Sequence, residues 1–373
     1  MKVAIIAGEA SGDLHGSNLM RAMHTFQNDL EFIGIGGDKM IAQGLKPIRH
    51  ITQTNFMGFW EVAKNIKTIQ KMIQDTKQML LNHRPDAIIL IDYPGFNLHI
   101  AKFAYQHGIK VLYYISPQLW AWKKGRVKII QKYVHKMYVI FPFEKEFYKK
   151  EANIEVEFVG HPLLDALCEF EVNSNFKTEY QLSQKPIVAI LPGSRKQEIK
   201  NMLPTLLSVV DEFPGYQFVI AAAQTVDKNY IEQFIPSSLN VPIIQGQTYQ
   251  VLAHAYMAIV KSGTSTLETA LFNVPEVVVY KGSWLSYQIG KRLVNKKMIK
   301  YISIVNLIMG RSVVPELIQN QCNTANLIQA LQKLSDGAYR TKMQNDFSSL
   351  RKILGDVGAS YRCAKSMLDE IKN

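Results

Sequence analysis

The chain has 373 residues, 47% of them apolar, which suffices for two hydrophobic cores because single domains seldom exceed about 250–300 residues. Its 43 Lys and Arg against 31 Asp and Glu give a net charge of +12, which favours anionic partners: nucleic acid, an anionic membrane face or phosphorylated substrates. The three scattered cysteines argue against a zinc site or a disulfide framework, and no apolar run reaches the roughly 20 residues that span a bilayer.

Short β-rich apolar runs alternate with helical patterns along the chain, which predicts parallel α/β layers. The strands predicted in the first half are Lys2–Ala7, Phe32–Ile35, Ala87–Ile91, Lys110–Ile115, Met137–Ile140 and Val156–Val159. After a polar stretch, those predicted in the second half are Ile187–Leu191, Gln217–Ala221, Val241–Ile244, Met257–Val260 and Val277–Tyr280. The fold class is therefore α/β, with two doubly wound Rossmann-like domains whose strand ends face a shared cleft.

The polar stretch 169–184 is the predicted linker between the two domains. We expect residues 1–168 to form the first domain, 185–340 the second, and 341–373 a helical segment that packs back across the linker. The opening run KVAIIAG is typical of a strand rather than a signal peptide. The expectation is a cytoplasmic protein, free or peripheral to a membrane.

The loop after the first predicted strand carries two carboxylates and a hydroxyl, Glu9, Asp13 and Ser11. Its glycines do not make the GxGxxG fingerprint, which argues against a nicotinamide oxidoreductase. The loop is better suited to hydroxyls of a sugar-like group than to a pyrophosphate. The alternative is a tight strand–helix turn with Asp13 near the helix start.

Asp92 ends the apolar run AIILID. A carboxylate at the carboxyl end of a buried parallel strand lies where a general base would act, and a dry neighbourhood would raise its pKa to a useful value. The alternative is a helix cap or a structural hydrogen bond to the following turn.

Two turns of the second half are suited to phosphate. In LPGSR, Ser194 and Arg195 precede a helix, and in SGTSTLE a helix begins after Ser262, Gly263 and Thr264. Helix starts present unpaired N–H groups and positive dipole ends, and a guanidinium adds charge. Glu268, one turn into its helix, could accept hydrogen bonds from ribose hydroxyls. The alternatives are an ordinary capped helix and a surface arginine.

Two segments, 121–136 and 281–311, contain six and seven basic residues and no acidic ones. They lack nucleic-acid motifs, and their aromatic and aliphatic residues favour an anionic lipid surface over nucleic acid. Solvated basic helices are the alternative. The apolar run Phe56–Trp60 predicts either core packing or a flap that accepts acyl chains.

Taken together, these residues resemble the lipid A disaccharide synthases, inverting glycosyltransferases of GT-B architecture. The matching stretches are AGEASGD (7–13), GIGGDKM (34–40), MGFWEV (57–62), LIDYPGFN (90–97), SPQLWAWKKGR (116–126), FPFEKEFY (141–148), FVGHPLLD (158–165), LPGSRKQEI (191–199), SGTSTLE (262–268) and KRLV with SIVNLIMGRSVVPELIQ (291–319). They run through nearly the whole chain in order. Gly95 departs from the pattern, since some members carry a second acid there, and this points to Asp92 as the retained carboxylate.

The resemblance implies that UDP-2,3-diacylglucosamine and 2,3-diacylglucosamine 1-phosphate form a β-1′,6-linked disaccharide 1-phosphate and UDP, without a metal or other cofactor. Asp92 would be the base, and Glu9, Ser11 and Asp13 would orient sugar hydroxyls. The UDP ligands would be Ser194, Arg195, Ser262, Gly263, Thr264 and Glu268. Lys123 or Arg126 would meet the acceptor phosphate, while Asn306 and Arg311 would be cleft residues of undefined role.

The resemblance also implies peripheral association with the anionic inner-membrane surface and allows a homodimer. The alternatives are another UDP-sugar enzyme of the same fold, such as a lipid-intermediate GlcNAc transferase or a UDP-GlcNAc epimerase, and a non-catalytic membrane-binding module. An epimerase would need no acceptor, and a membrane-binding module would not bind UDP.

Overall fold

The structure is a computed structural model that describes residues 1–53, 66–117, 119, 124–282 and 301–373. Phe56–Trp60, Lys123 and residues 283–300 of the second basic segment, on which several sequence predictions rest, lie outside the described residues. The chain divides into two compact units. Unit 1 comprises Met1–Glu169 with Leu354–Asn373, and unit 2 comprises Phe170–Ile353.

Unit 1 is built on a parallel sheet. Its strands are β1 (Lys2–Ala7), β2 (Glu31–Gly36), β3 (Leu45–His50), β4 (Ala87–Ile91), β5 (Lys110–Tyr114), β6 (Lys136–Val139) and β7 (Glu157–Phe158). They lie in the order β3-β2-β1-β4-β5-β6-β7. The described helices of this unit are Ala10–Phe26, Asp38–Ala42, Ile66–His83, Pro94–Gln106, Val127–Tyr133, Phe143–Ala152, Leu163–Cys168 and Ala359–Lys372, with 3₁₀ turns at Ile51–Gln53 and Lys124–Arg126.

Unit 2 is also built on a parallel sheet. Its strands are β8 (Ile187–Leu191), β9 (Gln217–Ala222), β10 (Ile243–Gln245), β11 (Ala255–Lys261), β12 (Glu276–Tyr280) and β13 (Glu316–Ile318). They lie in the order β10-β9-β8-β11-β12-β13. The described helices are Phe176–Glu179, Lys196–Leu207, Lys228–Glu232, Thr248–Ala253, Thr264–Leu271, Ile304–Met309, Thr324–Ser335 and Gly337–Ile353, with 3₁₀ turns at Val210–Glu212 and Gln319–Gln321.

The predicted bounds of β1, β4 and β8 are confirmed residue for residue. Each lies inside a parallel sheet covered on both faces, so its sequence is continuously apolar and its ends are sharp. The sequence did not predict β3, whose LKPIRH contains a proline and is partly exposed, or the three-residue β13. Both are edge strands, where burial imposes no clear alternation.

The carboxyl-terminal segment 341–373, predicted to be helical and to pack back across the linker, contributes to both units. Gly337–Ile353 belongs to unit 2, and Ala359–Lys372 packs against Ala10–Phe26 in unit 1. The helical conformation is interrupted between these two helices. Gly355 and Gly358 lie in the connecting turn, with φ values of +88° and +98° that favour glycine. The predicted linker 169–184 likewise contributes to the core of unit 2, through the buried residues Phe176 and Leu182.

Counted from the first strand of each unit, both sheets contain the strand order 3-2-1-4-5-6 of a Rossmann fold, and the sheet of unit 1 has β7 as a seventh strand at its edge. The prediction of two doubly wound α/β domains is confirmed. In such sheets the strand order reverses between the first and fourth strands, and ligands bind beyond the carboxyl ends of the strands there. These positions are the ends of β1 and β4 in unit 1, and of β8 and β11 in unit 2.

Candidate functional site

In unit 1, the turns that follow β1 and β4 pack against each other through Gly8 and Tyr93. The Tyr93 ring lies so close to Gly8 that a Cβ at position 8 would overlap it. Asp92 and Tyr93 have φ values of 41° and 48°, and successive non-glycine residues in this left-handed region are uncommon. Such a conformation persists where the surroundings impose it, and it is typical of functional turns.

The main chain of Asp92 is fixed by neighbouring strands and by the helix that follows it. Its carbonyl oxygen accepts hydrogen bonds from the Tyr113 hydroxyl at 2.5 Å and from Asn97 Nδ2 at 2.7 Å. Its N–H donates to the carbonyl oxygen of Tyr114 at 3.0 Å. These contacts position the residue without using its carboxyl group.

The Asp92 carboxyl group is accessible to solvent, yet protein atoms surround it closely. The resulting desolvation, together with the nearby charge of Glu9, raises its pKa to about 7, against the opposing effect of the Tyr93 N–H. A carboxyl group with such a pKa is half ionised near neutral pH and can accept a proton there. The direction of this shift agrees with the expected effect of a desolvated surrounding, and the role of Asp92 as a general base stays a prediction.

The charge of Glu9 is near enough to Asp92 to raise the pKa of its carboxyl group, and we call these two residues the carboxylate site. Glu9 immediately precedes the helix Ala10–Phe26 and is partly exposed. The pKa of Tyr93 is raised to about 12, mainly by burial and to a smaller extent by the charge of Glu9. Ser11 is exposed in the first turn of the same helix.

Asp13, predicted to bind sugar hydroxyls, has a different set of partners. It is 4% exposed, and its oxygens accept hydrogen bonds from the N–H groups of Gly37 at 2.7 Å, Lys39 at 3.1 Å and Met40 at 3.1 Å. It therefore caps the start of the helix Asp38–Ala42 from outside that helix. These contacts are structural and favour the alternative that the sequence left open, a tight strand–helix turn with Asp13 near the helix start, while its contact with sugar hydroxyls stays a prediction.

The charge of Arg126 acts on Tyr113, whose hydroxyl donates to the carbonyl oxygen of Asp92. Arg126 ends the 3₁₀ turn Lys124–Arg126 and is partly exposed. Burial raises the pKa of Tyr113 well above its usual value, and the charge of Arg126 is near enough to oppose that rise. The other predicted phosphate ligand, Lys123, lies outside the described residues.

In unit 2, the helix Thr264–Leu271 begins directly after β11. Gly263 precedes it, and Thr264 is exposed at its first position. The first N–H groups of a helix have no acceptor within it, so this start can bind an anion. Ser262 has another role: its hydroxyl donates to the carbonyl oxygen of Ile302 at 2.8 Å, and its N–H donates to that of Val279 at 2.9 Å.

Charged side chains gather where β8 and β11 end. Glu198 Oε1 lies 2.8 Å from Lys261 Nζ and 3.4 Å from Arg195 Nη1. Ser194 is exposed beside Arg195, and Gly193 has a φ of +103° and no room for a Cβ against Glu198. We call Arg195, Glu198, Lys261 and the start of Thr264–Leu271 the anion site.

Glu268 is held by side chains of two elements. The Tyr249 hydroxyl donates to its Oε1 at 3.0 Å, and Ser265 also hydrogen-bonds to it. Burial raises the pKa of Glu268, and these two hydrogen bonds oppose that rise. The Tyr249 ring packs on Phe170 and Phe272. Glu268 is thus a positioned carboxyl group that can accept hydrogen bonds from hydroxyls.

Asn306, predicted to be a cleft residue, is fully buried and uses all its hydrogen-bonding capacity inside unit 2. Its Nδ2 donates to Val314 O and Glu316 Oε1, and its Oδ1 accepts from the N–H groups of Val313 and Val314. Arg311 makes a bidentate pair with Asp346, at 3.0 and 2.6 Å. These contacts hold the loop before β13 in place. Asn306 has no unused donor for a ligand, whereas Arg311 is exposed and its guanidinium has N–H groups beyond the two that bond to Asp346.

Within each unit, the fold therefore unites part of the predicted set: Glu9 with Asp92, and Arg195 with the helix start at Thr264. Three residues that contact the predicted ones, Glu198, Tyr249 and Lys261, were not predicted as site residues. Lys261 could have been found from the sequence, because it immediately precedes SGTST, whereas Tyr249 lies 19 residues before Glu268 and nothing in the sequence links the two.

In the part of the chain that the structure describes, no three His, Cys, Asp or Glu side chains form a metal-binding group. No described helix is both long and apolar enough to cross a membrane.

Comparison with known protein families gives a match across almost the whole chain. The sequence model of the lipid-A-disaccharide synthetase family matches residues 3–368. A lipid-A-disaccharide synthase of Geobacter sulfurreducens is 38% identical over 99% of this chain and 97% of its own. One of Syntrophus aciditrophicus is 39% identical over 99% of this chain and 98% of its own.

Solved structures share the fold at low sequence identity. The S. aureus MnaA–UDP structure has a TM-score of 0.70 and 15% identity, covering 100% of this chain and 98% of its own. UDP-GlcNAc 2-epimerase from Neisseria meningitidis, bound to UDP-GlcNAc, has a TM-score of 0.68 and 15% identity, covering 99% and 100%. At this identity the likeness shows the two-unit Rossmann-like fold alone.

Proposed function

The chain belongs to the lipid-A-disaccharide synthetase family of glycosyltransferases in lipid A biosynthesis, and we propose its reaction in the following form. UDP-2,3-diacylglucosamine and 2,3-diacylglucosamine 1-phosphate condense to a β-1′,6-linked disaccharide 1-phosphate and UDP. The observation that carries the mechanism is the Asp92 carboxyl group, whose pKa is raised to about 7 at the end of β4.

Asp92 is the general base of a single displacement. It removes the proton of the acceptor 6-hydroxyl as that oxygen attacks the anomeric carbon of the UDP-sugar. The bond from the anomeric carbon to the diphosphate oxygen breaks, and its electron pair leaves with UDP. Attack opposite the leaving group inverts the anomeric centre. A base is most effective when its pKa is near the working pH, because it is then both ionised and basic.

The anion site stabilises the departing UDP. Negative charge grows on the diphosphate as the bond breaks, and Arg195 and the N–H groups at the start of Thr264–Leu271 are fixed donors for that charge. Ser194 adds an exposed hydroxyl beside Arg195. Such donors accelerate the reaction because their interaction with the diphosphate is stronger in the transition state, where the negative charge has grown, than in the complex with the intact substrate.

Glu268 binds the uridine ribose. An ionised carboxylate accepts hydrogen bonds from two neighbouring hydroxyls, and charge-assisted bonds of this kind are roughly twice as strong as neutral ones. Tyr249 and Ser265 oppose the effect of burial on the Glu268 pKa and so favour the ionised form. In unit 1, Glu9 and Ser11 orient sugar hydroxyls near Asp92, and Arg126 binds the acceptor phosphate.

The substrates carry acyl chains, so the protein would meet them at an anionic membrane surface. The net charge of +12 supports this peripheral association at the cytoplasmic face of the inner membrane. The proposed function also allows a homodimer, on the ground of the family alone.

The test is UDP release by the purified protein from UDP-2,3-diacylglucosamine, with and without 2,3-diacylglucosamine 1-phosphate. Release that depends on the acceptor, together with a disaccharide phosphate product, supports the proposal. Turnover of UDP-GlcNAc without any acceptor would instead indicate an epimerase. Binding of anionic vesicles without binding of UDP would indicate a non-catalytic membrane protein.

A further inference from the structure

We propose that Lys261 is a second cationic ligand of the UDP diphosphate and that Glu198 positions it. The proposal rests on the proposed function, because it assigns a residue to the leaving-group side of that reaction. Lys261 ends β11, directly before the turn that begins the helix Thr264–Leu271. It thus lies at the point where the strand order of unit 2 reverses.

The ion pair with Glu198 fixes the ammonium group at this place. The Nζ–Oε1 distance is 2.8 Å, and the two side chains are only 18% and 17% exposed. Glu198 sits on the first turn of Lys196–Leu207 and lies against Gly193, which leaves it little freedom. A lysine held by a fixed partner loses less rotamer entropy when it binds a ligand than a mobile one does.

The ammonium group also lies beside the helix start. A Cβ built on Gly263 would be 3.9 Å from Lys261 Nζ, so the ammonium faces the residue that precedes the helix. An ammonium has three N–H donors, and the contact with Glu198 needs one of them. A phosphate bound to the first N–H groups of Thr264–Leu271 is therefore within reach of the remaining donors.

The two cations of the anion site share one carboxylate. Lys261 Nζ and Arg195 Nη1 both approach the same oxygen of Glu198. The positive end of the helix Thr264–Leu271 adds to the positive charge at this place. A diphosphate bound at the helix start would therefore meet positive charge from two side chains and from the helix.

This arrangement assigns a task in the transfer step. The electron pair of the broken anomeric bond stays on the β-phosphate oxygen of UDP, and the acceptor proton goes to Asp92. Lys261 and Arg195 then stabilise the added negative charge from two sides. Loss of Lys261 should weaken UDP binding and lower kcat, while contacts with uridine stay as they are.

The experiment compares UDP with uridine, which lacks the phosphates. The variant is Lys261→Met, and the control is Lys228→Met, which removes an exposed lysine paired with Glu232 in the same unit. We expect Lys261→Met to weaken UDP binding about tenfold, measured by calorimetry, and uridine binding less than twofold. That tenfold change corresponds to about 1.4 kcal/mol. Lys261→Arg should restore part of the loss, and Lys228→Met should bind both as the parent protein does.

Three outcomes would contradict the assignment. Equal losses for UDP and uridine would make Lys261 a structural residue, and unchanged UDP binding would remove it from the site. If the parent protein bound no UDP, the proposed function would fail and this assignment with it. Should Lys261→Met unfold, Lys261→Gln provides the same comparison with a side chain that keeps polar contacts.

Discussion

The hydroxyl of Tyr249 donates a 3.0 Å hydrogen bond to Glu268 Oε1, which links the helix Thr248–Ala253 to the helix Thr264–Leu271. Burial raises the pKa of Glu268. The hydrogen bonds from Tyr249 and Ser265 act in the opposite direction and make this rise smaller. Tyr249 therefore favours the ionised form of a partly buried carboxyl group, against the effect of burial. Its ring is separately held by Phe170 and Phe272, so the hydroxyl can be removed without removing the packing.

Tyr249→Phe should weaken UDP binding about three- to tenfold at pH 7, because a hydrogen bond to a charged group contributes roughly 1–3 kcal/mol and Ser265 retains part of it. The pKa of Glu268 should rise further, so UDP affinity should decline at a higher pH than in the parent protein as the solution is acidified. The measurement is UDP affinity by calorimetry between pH 5.5 and 8.5. Tyr216→Phe, which removes a hydroxyl bonded to Ser335, is the matched control. Identical affinities at every pH would refute the link.

Glu268→Ala should weaken UDP binding by one order of magnitude or more, since ribose hydroxyls lose a charged acceptor. The double variant Glu268→Ala with Tyr249→Phe should be no weaker than Glu268→Ala alone. Tyr249 acts through Glu268, so the two effects are not additive. Additive losses in the double-mutant cycle would show that Tyr249 binds UDP independently.

Glu276→Gln should stabilise the protein increasingly as the pH rises. Glu276 is fully buried at the start of β12, its carboxyl oxygens have no hydrogen-bond partner among the described residues, and burial raises its pKa well above 4.5. Above pH 4.5 the unfolded chain ionises this group while the folded protein keeps the proton, so ionisation favours unfolding.

The measurement for Glu276 is the free energy of unfolding by urea at several pH values. The advantage of Glu276→Gln over the parent should grow by up to about 1.4 kcal/mol per pH unit above the ordinary glutamate pKa. Glu232→Gln, at an exposed site, should show almost no such growth. A difference that is constant with pH would mean that Glu276 is ionised in the folded protein.

Asn306→Leu should destabilise unit 2 by about 3 kcal/mol or more. The leucine cannot accept the hydrogen bonds that the N–H groups of Val313 and Val314 donate to Asn306, and it cannot donate to the Glu316 carboxylate. Buried polar groups that lose a hydrogen-bond partner lower the free energy of unfolding. Arg311→Ala removes a nearby pair that is largely exposed on the arginine side and should cost about 1 kcal/mol or less. Urea unfolding of both variants tests the difference, and equal costs would contradict the structural role of Asn306.

The sequence was sufficient for the central strands of each sheet, because buried parallel strands are continuous apolar runs and their ends are marked by polar residues, but not for the edge strands β3 and β13. Asp92 and Gly263 were proposed as site residues from such strand ends. The partners of a polar side chain were not predictable. Asp13 lies 24 residues before Gly37, and Asn306 is satisfied by a loop that the helical pattern does not reveal. Whether a polar residue serves the fold or a ligand depends on such distant contacts, which local spacing does not contain.

The assignment of Asp92 as the base makes a claim about pH. Because its pKa is about 7, kcat/KM should fall tenfold per pH unit below that value and level off above it. Asp92→Asn cannot take the proton, so its residual activity should lack this dependence.

The most direct measurement is therefore kcat and UDP affinity of Asp92→Asn beside the parent protein. The account predicts that kcat falls by roughly 10² to 10⁴ while UDP binds within about twofold of the parent affinity. Parent-like kcat in Asp92→Asn would remove Asp92 from the chemistry. An equal loss of UDP affinity and kcat would mean that the variant damages the fold or the binding of UDP rather than the proton transfer.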